Sequence, residues 1–375
     1  MGAQAGDIAV GFSKPCANPL ERLMVDSLDA IDLKALAAFD DIIDVRSPAE
    51  FAIDHVPGAI NLPVLSNAQR AEVGTVYVQG SRFHARKIGA AHVARNIAHH
   101  LETTLADRPG GYAPLVYCWR GGQRSGAMAT VLRQVGWRTT LLTGGYKTWR
   151  RYVTTSLYDQ PLGLELVLLD GNTGSAKTEI LGRVAARGAQ VLDLEGLAGH
   201  RGSVFGAMPG LDQPSQKMFE SRLLQALADL DPGRPVLVEA ESSKIGDRMV
   251  PPSLWQVMQT APRIVLEVDA AERARYLVAA YGDVARDPAS LERALSRLPA
   301  LYGHKTLASW RQMAQLGAFE ALAQALIETH YDPAYGRSSR QDIRPCLASL
   351  SAAALDHDGQ ERLADQIAAV MAAKR

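Results

Sequence analysis

The sequence has few cysteines and no long apolar run. Its 375 residues include three cysteines, Cys16, Cys118 and Cys346, which lie far apart and are odd in number. This pattern argues against a disulfide scaffold and predicts a reducing compartment. No stretch of 18 apolar residues occurs, and the first residues lack the basic and apolar regions of a secretory signal. We therefore expect a cytoplasmic protein with no membrane partner.

Net charge is also absent, because 40 Lys and Arg residues balance 40 Asp and Glu residues. This balance argues against a polybasic protein, yet two windows, 73–101 and 108–158, contain no acidic residue. The alternatives are a solvated basic surface without specific use and a positive face for a polyanion. The basic residues that we place on such a face are Arg86, Lys87, Lys147, Arg150 and Arg151.

Short apolar runs alternate with helical patterns, which predicts an α/β architecture. In the first part we expect strands at 41–45, 114–117 and 139–142, and helices at 83–101 and 126–135. The segment 153–161 has little periodicity and ends in a proline, so we place a domain boundary there. The predicted domains are residues 20–153 and 160–375.

The second part repeats the alternation and then becomes helical. Its expected strands are 164–169, 190–194, 235–239 and 263–268. Its expected helices are 177–187, 215–229 and 253–259, followed by a mainly helical region over 270–330 and a helix over 352–372. This order predicts a second α/β domain with a helical C-terminal extension.

A cysteine loop is the first candidate site. An apolar strand ends at Cys118, and a loop with two glycines and the arginines Arg120 and Arg124 leads into a helix. The backbone N–H groups of such a loop and the helix N-terminus attract anions and lower a thiol pKa. Cys118 is therefore predicted to be a nucleophile. The alternative is a small apolar residue that ends a buried strand.

A phosphate-binding loop is the second candidate site. It follows the strand at 164–169 and opens a helix, as a Walker A loop does. Its residues are Gly171, Asn172, Thr173, Gly174, Ser175, Ala176, Lys177 and Thr178. Lys177 is expected to neutralise phosphate charge and Thr178 to meet Mg²⁺. Ala176 stands where the motif has glycine, and it is strained only if its φ is positive.

Several polar residues follow later strands of the second domain. Glu239 and Glu241 end an apolar strand and are candidates for ordering metal-bound water or acting as a base, or are plain surface acids. Nothing in this half resembles a purine pocket, so the loop is expected to bind a diphosphate. No Cys and His set has metal-ligand spacing, so we expect no structural metal and no tightly bound cofactor.

Around Cys118 the chain resembles a rhodanese domain. The resemblance rests on residues 44–51, 55–61 and 142–146 and covers about 25–151. It implies that Cys118 carries sulfur or selenium as a persulfide or perselenide. One departure is the span from Cys118 to Arg124, which has the Cys-x5-Arg length of related cysteine phosphatases. A loop of this size could hold a tetrahedral anion, and it also suits selenophosphate.

The two domains together resemble the tRNA 2-selenouridine synthases, in which a rhodanese-like domain precedes a P-loop α/β domain. The segments that carry this resemblance are 62–67, 85–91, 118–122, 193–198, 200–203 and 331–335. The family replaces sulfur at C2 of a modified wobble 2-thiouridine in tRNA with selenium from selenophosphate. It is also associated with geranyl diphosphate, which alkylates the sulfur and makes it a leaving group.

This resemblance implies roles for the candidate residues. Cys118 would handle selenium, the P-loop would hold the prenyl diphosphate, and the acid-free windows would face tRNA phosphates. The residues expected to contact the substrate or tRNA are Asp193, Glu195, His200 and Arg201. Trp119 stacks on a base or covers the loop, and Tyr331 and Tyr335 pack the helical end or touch RNA. A selenophosphate-supplying enzyme is an expected partner.

A second reading belongs to another class of protein. It is a P-loop kinase or ATPase fused to a rhodanese-like cysteine phosphatase or sulfurtransferase. This reading predicts nucleotide turnover without RNA, whereas the tRNA-modifying reading predicts tRNA binding that weakens as salt rises.

Overall fold

The computed structural model describes residues 26–203, 206, 212–280, 282, 288–296, 298, 302–339 and 342–374. The chain divides into two compact units, with the break between Arg150 and Arg151. Cys16 lies outside the described residues, and within them Cys118 and Cys346 are free thiols. No described helix is both long enough and apolar enough to cross a bilayer.

The first unit is built on a parallel five-stranded sheet in the order β1-β5-β4-β2-β3. Its strands are β1 (Asp26–Leu28), β2 (Ile42–Asp44), β3 (Ala59–Asn61), β4 (Leu115–Tyr117) and β5 (Thr140–Leu142). Its helices are α1 (Leu33–Leu36), α2 (Pro48–Ile53), α3 (Asn67–Gln79), α4 (Arg82–Glu102) and α5 (Gln123–Val135), and the break to the second unit falls within the next helix, α6 (Tyr146–Thr154).

The central strand of this sheet carries the cysteine. All three residues of β4 are buried, as expected for a parallel strand that is covered on both faces. Val116 packs with Ile43 of β2 and with Met128 and Leu132 of α5. The sheet therefore delivers Cys118 at its carboxyl edge, where ligands of open α/β sheets bind.

The second unit contains another parallel five-stranded sheet, in the order β12-β11-β6-β8-β7, and a short antiparallel pair, β9 and β10. Its strands are β6 (Leu166–Gly171), β7 (Gln190–Leu192), β8 (Val236–Glu239), β9 (Lys244–Ile245), β10 (Arg248–Met249), β11 (Arg263–Val268) and β12 (Cys346–Ala352).

The helices of the second unit cover this sheet and form the C-terminal part. They are α7 (Lys177–Ala186), α8 (Leu194–Ala198), α9 (Gln216–Ala228), α10 (Pro252–Thr260), α11 (Ala270–Ala280), α12 (Pro288–Ser296), α13 (Gly303–Gln315), α14 (Phe319–Leu326), α15 (Asp332–Ser339) and α16 (His357–Ala373). Two π-helical segments, Thr155–Asp159 and Ile327–Tyr331, precede β6 and α15.

Two apolar cores support the second unit. Ile180 of α7 packs with Leu169 of β6, Ile264 of β11 and Ile367 of α16. A separate core joins α12, α13, α14 and the second π-helical segment, and it includes Trp310. The predicted α/β class, with two α/β domains and a helical C-terminal part, is confirmed.

Two local features differ from the sequence analysis. The segment 153–161 has little sequence periodicity, yet α6 and the π-helical segment make it helical as far as Asp159, with Val153 and Leu157 fully buried. The final helix, expected over 352–372, is present as α16 but begins at His357, and residues 346–352 form β12, which pairs with β11. This edge strand consists mostly of small residues, so its sequence carries little β signal.

Candidate functional site

Cys118 lies at the end of β4 and faces hydrogen-bond donors. Its Sγ accepts hydrogen bonds from the Gly122 backbone N–H at 3.2 Å and from the Ser125 hydroxyl at 3.1 Å. Burial works to raise the pKa of the thiol, but hydrogen bonds from Ser125 and from loop N–H groups outweigh it. The net pKa lies below its ordinary value, which favours the thiolate that a nucleophile requires.

The segment after β5 braces this loop through backbone contacts. The Tyr146 N–H donates to the Cys118 carbonyl at 2.8 Å. Gly145 has φ +60°, and a Cβ there would lie 2.2 Å from the same carbonyl oxygen. Only glycine fits this position, so residues 142–146 are a structural part of the cysteine loop.

A buried ion pair lies in the same unit as the loop. The Arg46 guanidinium binds Asp44 at 2.6 Å, and both side chains are almost completely buried. It also lies 4.1 Å from the centre of the Tyr146 ring, a cation–π contact. Trp119 packs on Tyr146 with 5.2 Å between ring centres. The first rhodanese-like segment and the closing segment therefore meet beside the cysteine.

The two loop arginines are placed differently. Arg120 is exposed in the loop. Arg124 lies in the first turn of α5, where it makes an ion pair with Glu50 of α2 at 2.7 Å. Glu50 was not among the predicted site residues, although it belongs to the segment that carries the rhodanese resemblance.

The phosphate-binding loop connects β6 to α7. Lys177 Nζ donates to the Gly171 carbonyl at 2.6 Å, and the Ser175 hydroxyl donates to the Asn172 carbonyl at 2.7 Å. Ala176 has φ +58° and ψ +29°, and it is the one non-glycine residue with positive φ in the described part of the chain. The sequence left open whether this alanine is strained, and its left-handed backbone means that it is.

A cavity of about 470 Å³ opens in front of this loop. Its lining includes Lys177, Thr178, Glu195, Tyr276, Leu277 and Tyr331. Burial works to lower the pKa of Lys177, whereas electrostatic interactions with Tyr335 and Glu241 raise it, and the net pKa is above its ordinary value. Lys177 is therefore a cation in this cavity. The largely apolar side chains of Tyr276, Leu277 and Tyr331 line the same cavity.

Two carboxyl groups meet beside Thr178. The Thr178 hydroxyl donates to Glu195 Oε2 at 2.6 Å. A Cβ on Gly202 would lie 2.5 Å from Glu195 Oε1 and 2.8 Å from Glu241 Oε1, so both oxygens border one small space. Burial, together with the charge of Glu241, raises the pKa of Glu195 to about 8.

Glu239 takes a different position from Glu241. It is completely buried and accepts a hydrogen bond from the Leu194 N–H at 3.0 Å. Burial, with the charge of Asp193, raises its pKa well above the ordinary value. Of the two acids predicted at this strand end, Glu241 lines the cavity and Glu239 supports the start of α8.

The residues after β7 are only partly brought to the cavity. Asp193 and Arg201 line it, and Asp193 also accepts the Gly196 N–H at 2.7 Å as the N-cap of α8. His200 is buried, and a Cβ on Gly246 would lie 2.7 Å from its ring. Among these three, His200 has the least access to a ligand.

Arg273 and Asp332 join the loop to the helical part, and neither was predicted. Arg273 binds both Asp332 oxygens at 2.9 and 2.7 Å and donates to the Thr173 carbonyl at 3.2 Å. Asn172 also donates to Asp332, at 2.9 Å. Asp332 lies in segment 331–335, which carries the family resemblance, so the sequence offered a reason to include Asp332 among the site residues. The clamp holds Tyr331 and Tyr335 beside the cavity.

The predicted polyanion-binding residues differ in exposure. Arg86, Lys87, Lys147 and Arg151 are exposed, whereas Arg150 is half-buried in α6. The described residues contain no group of three or more His, Cys, Asp or Glu side chains that could hold a metal ion.

Comparison with known proteins covers both units. A family model described as the tRNA 2-selenouridine synthase AAA domain matches residues 164–293, and a rhodanese-like domain model matches residues 29–152. A tRNA 2-selenouridine synthase of Cupriavidus pinatubonensis is 32% identical over 330 residues, which cover 78% of this chain and 87% of that protein.

Other relatives match over a shorter region. A tRNA 2-selenouridine synthase of Nitrosomonas europaea is 36% identical over 247 residues, which cover 64% of each chain. The match thus spans just under two thirds of that protein. A crystal structure of a rhodanese-related protein from Thermoplasma volcanium is 20% identical, covers 34% of this chain and 92% of its own, and has a TM-score of 0.23.

Proposed function

Because the chain belongs to the tRNA 2-selenouridine synthase family, we propose that it modifies tRNA by replacing the sulfur of a wobble 2-thiouridine with selenium. Selenophosphate is the selenium donor. Geranyl diphosphate first alkylates the sulfur, so that a C–S bond forms, the C–O bond to diphosphate breaks and diphosphate leaves. The selenium of selenophosphate then attacks C2, the C2–S bond breaks and geranyl thiolate leaves, and water cleaves the P–Se bond so that phosphate is released and selenium stays on C2.

One observation carries this proposal, namely the composition of the cavity beside the P-loop. The cavity is lined both by Lys177 with the rest of the loop and by the largely apolar side chains of Tyr276, Leu277, Ala280 and Tyr331. A prenyl diphosphate has these two properties in one molecule, a charged head and a hydrocarbon tail. A nucleotide would in addition need a few placed hydrogen-bonding groups for the edge of its base.

Mg²⁺ suits the head of this cavity. The Thr178 hydroxyl and the Glu195 and Glu241 carboxyl groups are hard oxygen donors that converge next to the P-loop, and Glu195, whose pKa is about 8 here, would lose its proton on binding the cation. These three residues would hold the ion, which supplies positive charge to the diphosphate. Asp193 and Arg201 line the same cavity and are assigned to substrate or tRNA contact.

The cysteine loop performs the selenium step in this proposal. The lowered pKa of Cys118 supports a thiolate, and the exposed Arg120 supplies a positive charge at the loop. The tRNA would lie against Arg86, Lys87, Lys147 and Arg151, because these exposed bases come from the acid-free windows. A selenophosphate-supplying enzyme is the proposed partner.

The test is mass spectrometry of tRNA nucleosides after incubation of the full chain with thiouridine-containing tRNA. Selenophosphate and geranyl diphosphate are supplied separately and together. Selenouridine is expected only with both donors, and geranylated thiouridine with geranyl diphosphate alone. Cys118→Ser is expected to lose selenouridine and keep the geranylated nucleoside. Unchanged tRNA in every arm, combined with nucleotide hydrolysis without RNA, would support the kinase–phosphatase alternative instead.

A further inference from the structure

The helices α3 and α4 form an antiparallel hairpin. His92 pairs with Glu72 at 3.1 Å, and Asn96 donates to Gln69 at 2.8 Å, so later positions in α4 meet earlier positions in α3. The connection between the two helices consists of Gly80 and Ser81. We call residues 77–84 the hairpin tip, and every one of them is exposed. This end of the hairpin is therefore open to a ligand.

The hairpin tip carries large apolar side chains that the first unit does not bury. Tyr77 is 45% exposed, Val78 is 82% exposed and Phe83 is 77% exposed. A single exposed apolar residue is ordinary, but three within seven residues form a patch, and such patches typically mark binding sites. Since two of the three are aromatic, a ligand at the tip would meet ring faces.

The charge around the hairpin tip has one sign. Arg82, Arg86 and Lys87 are exposed, and the window 73–101 contains no acidic residue. The Arg82 guanidinium lies 5.5 Å from the centre of the Tyr77 ring, a cation–π contact. This charge is complementary to a polyanion. A second copy of this chain that docked tip to tip would instead bring like charges together.

Rings and cations in one patch favour unpaired RNA over helical RNA. Unpaired bases expose faces on which aromatic side chains stack, while neighbouring cations follow the phosphates. In an RNA helix the bases are already stacked on one another, so a protein contacts mainly phosphates and ribose hydroxyls. Cations alone would serve for a helix, whereas the rings of Tyr77 and Phe83 have a use only where bases are unpaired.

We propose that the hairpin tip binds the unpaired tRNA loop that carries the wobble uridine, with the rings of Phe83 and Tyr77 stacked on its bases. The three neighbouring cations lie against the phosphates of the same loop. The inference rests on the proposed function in taking tRNA as the substrate, and it deepens that function. The contacts assigned there are to phosphates, whereas the tip adds a contact that distinguishes unpaired from paired RNA.

The experiment measures binding of labelled RNA to the full chain by fluorescence anisotropy. One probe is a stem-loop with the anticodon-loop sequence, and the other is a duplex of its stem alone. Phe83→Ala should weaken binding of the stem-loop by at least about fivefold, the lower end of what one stacked base contributes, and leave binding of the duplex unchanged. The slope of log affinity against log salt should stay the same, because no cation is removed.

Three further variants separate stacking from simple apolar contact. Phe83→Trp keeps an aromatic ring and should bind the stem-loop as the native chain does. Phe83→Leu keeps apolar bulk without a ring face and should bind as weakly as Phe83→Ala. Leu316→Ala removes an apolar side chain that is 75% exposed in the second unit, and it should leave binding unchanged.

Native affinity for the stem-loop in Phe83→Ala or in Phe83→Leu would overturn the proposal, as would equal losses for the stem-loop and the duplex. A native dimer in light scattering that Phe83→Ala dissociates would assign the tip to a second copy and overturn the proposal as well. The assay contains no selenophosphate and no geranyl diphosphate. Binding of tRNA that does not depend on Phe83 would therefore leave the proposed function standing, whereas a native chain that binds no RNA, full-length tRNA included, would overturn both.

Discussion

At the scale of single residues, the pKa of the Cys118 thiol is lowered by a hydrogen bond from one side chain of α5. Ser125 is fully buried, and its hydroxyl donates to Sγ at 3.1 Å. Ser125→Ala removes this donor and leaves the burial, so the Cys118 pKa should rise. One hydrogen bond to a charged group corresponds to about one to two pH units.

The measurement for Ser125→Ala is the pH dependence of Cys118 alkylation. Because the native pKa is lowered, thiolate forms at lower pH than in an ordinary thiol, and the variant's midpoint should move to higher pH. At a fixed pH below both midpoints, alkylation should therefore slow. Thr130→Ala, in the same helix but with its hydroxyl bonded to the Gly126 carbonyl, is the control. An unmoved midpoint in Ser125→Ala would contradict the assigned hydrogen bond.

In the second unit, Lys177 is the residue on which the proposed diphosphate site depends. Its ammonium group lies in the cavity that we assign to a diphosphate, and its raised pKa keeps it charged. Lys177→Ala should slow geranylation of thiouridine tRNA roughly a hundredfold, the scale of losing one pre-positioned donor to a reacting group. Arg183→Ala, on the same helix but with its side chain bound to Gln360 and Glu361 of α16 and outside the cavity lining, should geranylate normally. Normal geranylation by Lys177→Ala would remove the P-loop from the mechanism.

At the scale of elements, each site is a strand, a loop and a helix that are continuous in sequence. This continuity is why both sites could be predicted, with boundaries within about three residues of those observed. The conformation of Ala176 was not predictable in this way. The loop that connects β6 to α7 holds its backbone in the left-handed region. Ala176 is also only 3% exposed and belongs to the core of the second unit.

Ala176→Gly tests how much this strain matters. The change relieves about 1–2 kcal/mol of left-handed strain. It also removes a buried methyl group, which costs about 0.8 kcal/mol of stability. The greater conformational entropy of glycine in the unfolded chain costs about another 0.4–1 kcal/mol. The free energy of unfolding should thus change by less than about 1 kcal/mol. Ala176→Val should be clearly less stable, because a β-branched residue is an outlier at positive φ. Denaturant unfolding measures both, and a large effect of Ala176→Gly would contradict this balance.

At the scale of the whole molecule, the family resemblance is confirmed by relatives that match across both units. Four of the five basic residues that we predicted to face tRNA are exposed, so their side chains are accessible to a nucleic acid. Arg150 is half-buried in α6. Its burial depends on the folded chain and could not be predicted from its position in the sequence.

The double variant Lys147→Glu with Arg151→Glu tests the proposed tRNA surface. Both residues are exposed and lie four apart on α6. Binding of tRNA should weaken, and the slope of log affinity against log salt should flatten by about two if each cation contacts one phosphate. Reversal of Arg234 and Lys244, two bases outside the acid-free windows, is the control. An unchanged slope in the first variant would place the RNA elsewhere.

The sequence by itself determined the α/β class, the two-site organisation, Cys118 and Lys177, because these depend on residues adjacent along the chain. The tertiary structure decided which side chains complete each site. Glu50 meets Arg124 across 74 residues, and Arg273 meets Asp332 across 59. Such partners are separate in sequence and are brought together only when parallel strands align their carboxyl ends and the helices pack around them. For that reason, the charge available at each loop could be read only from the folded chain.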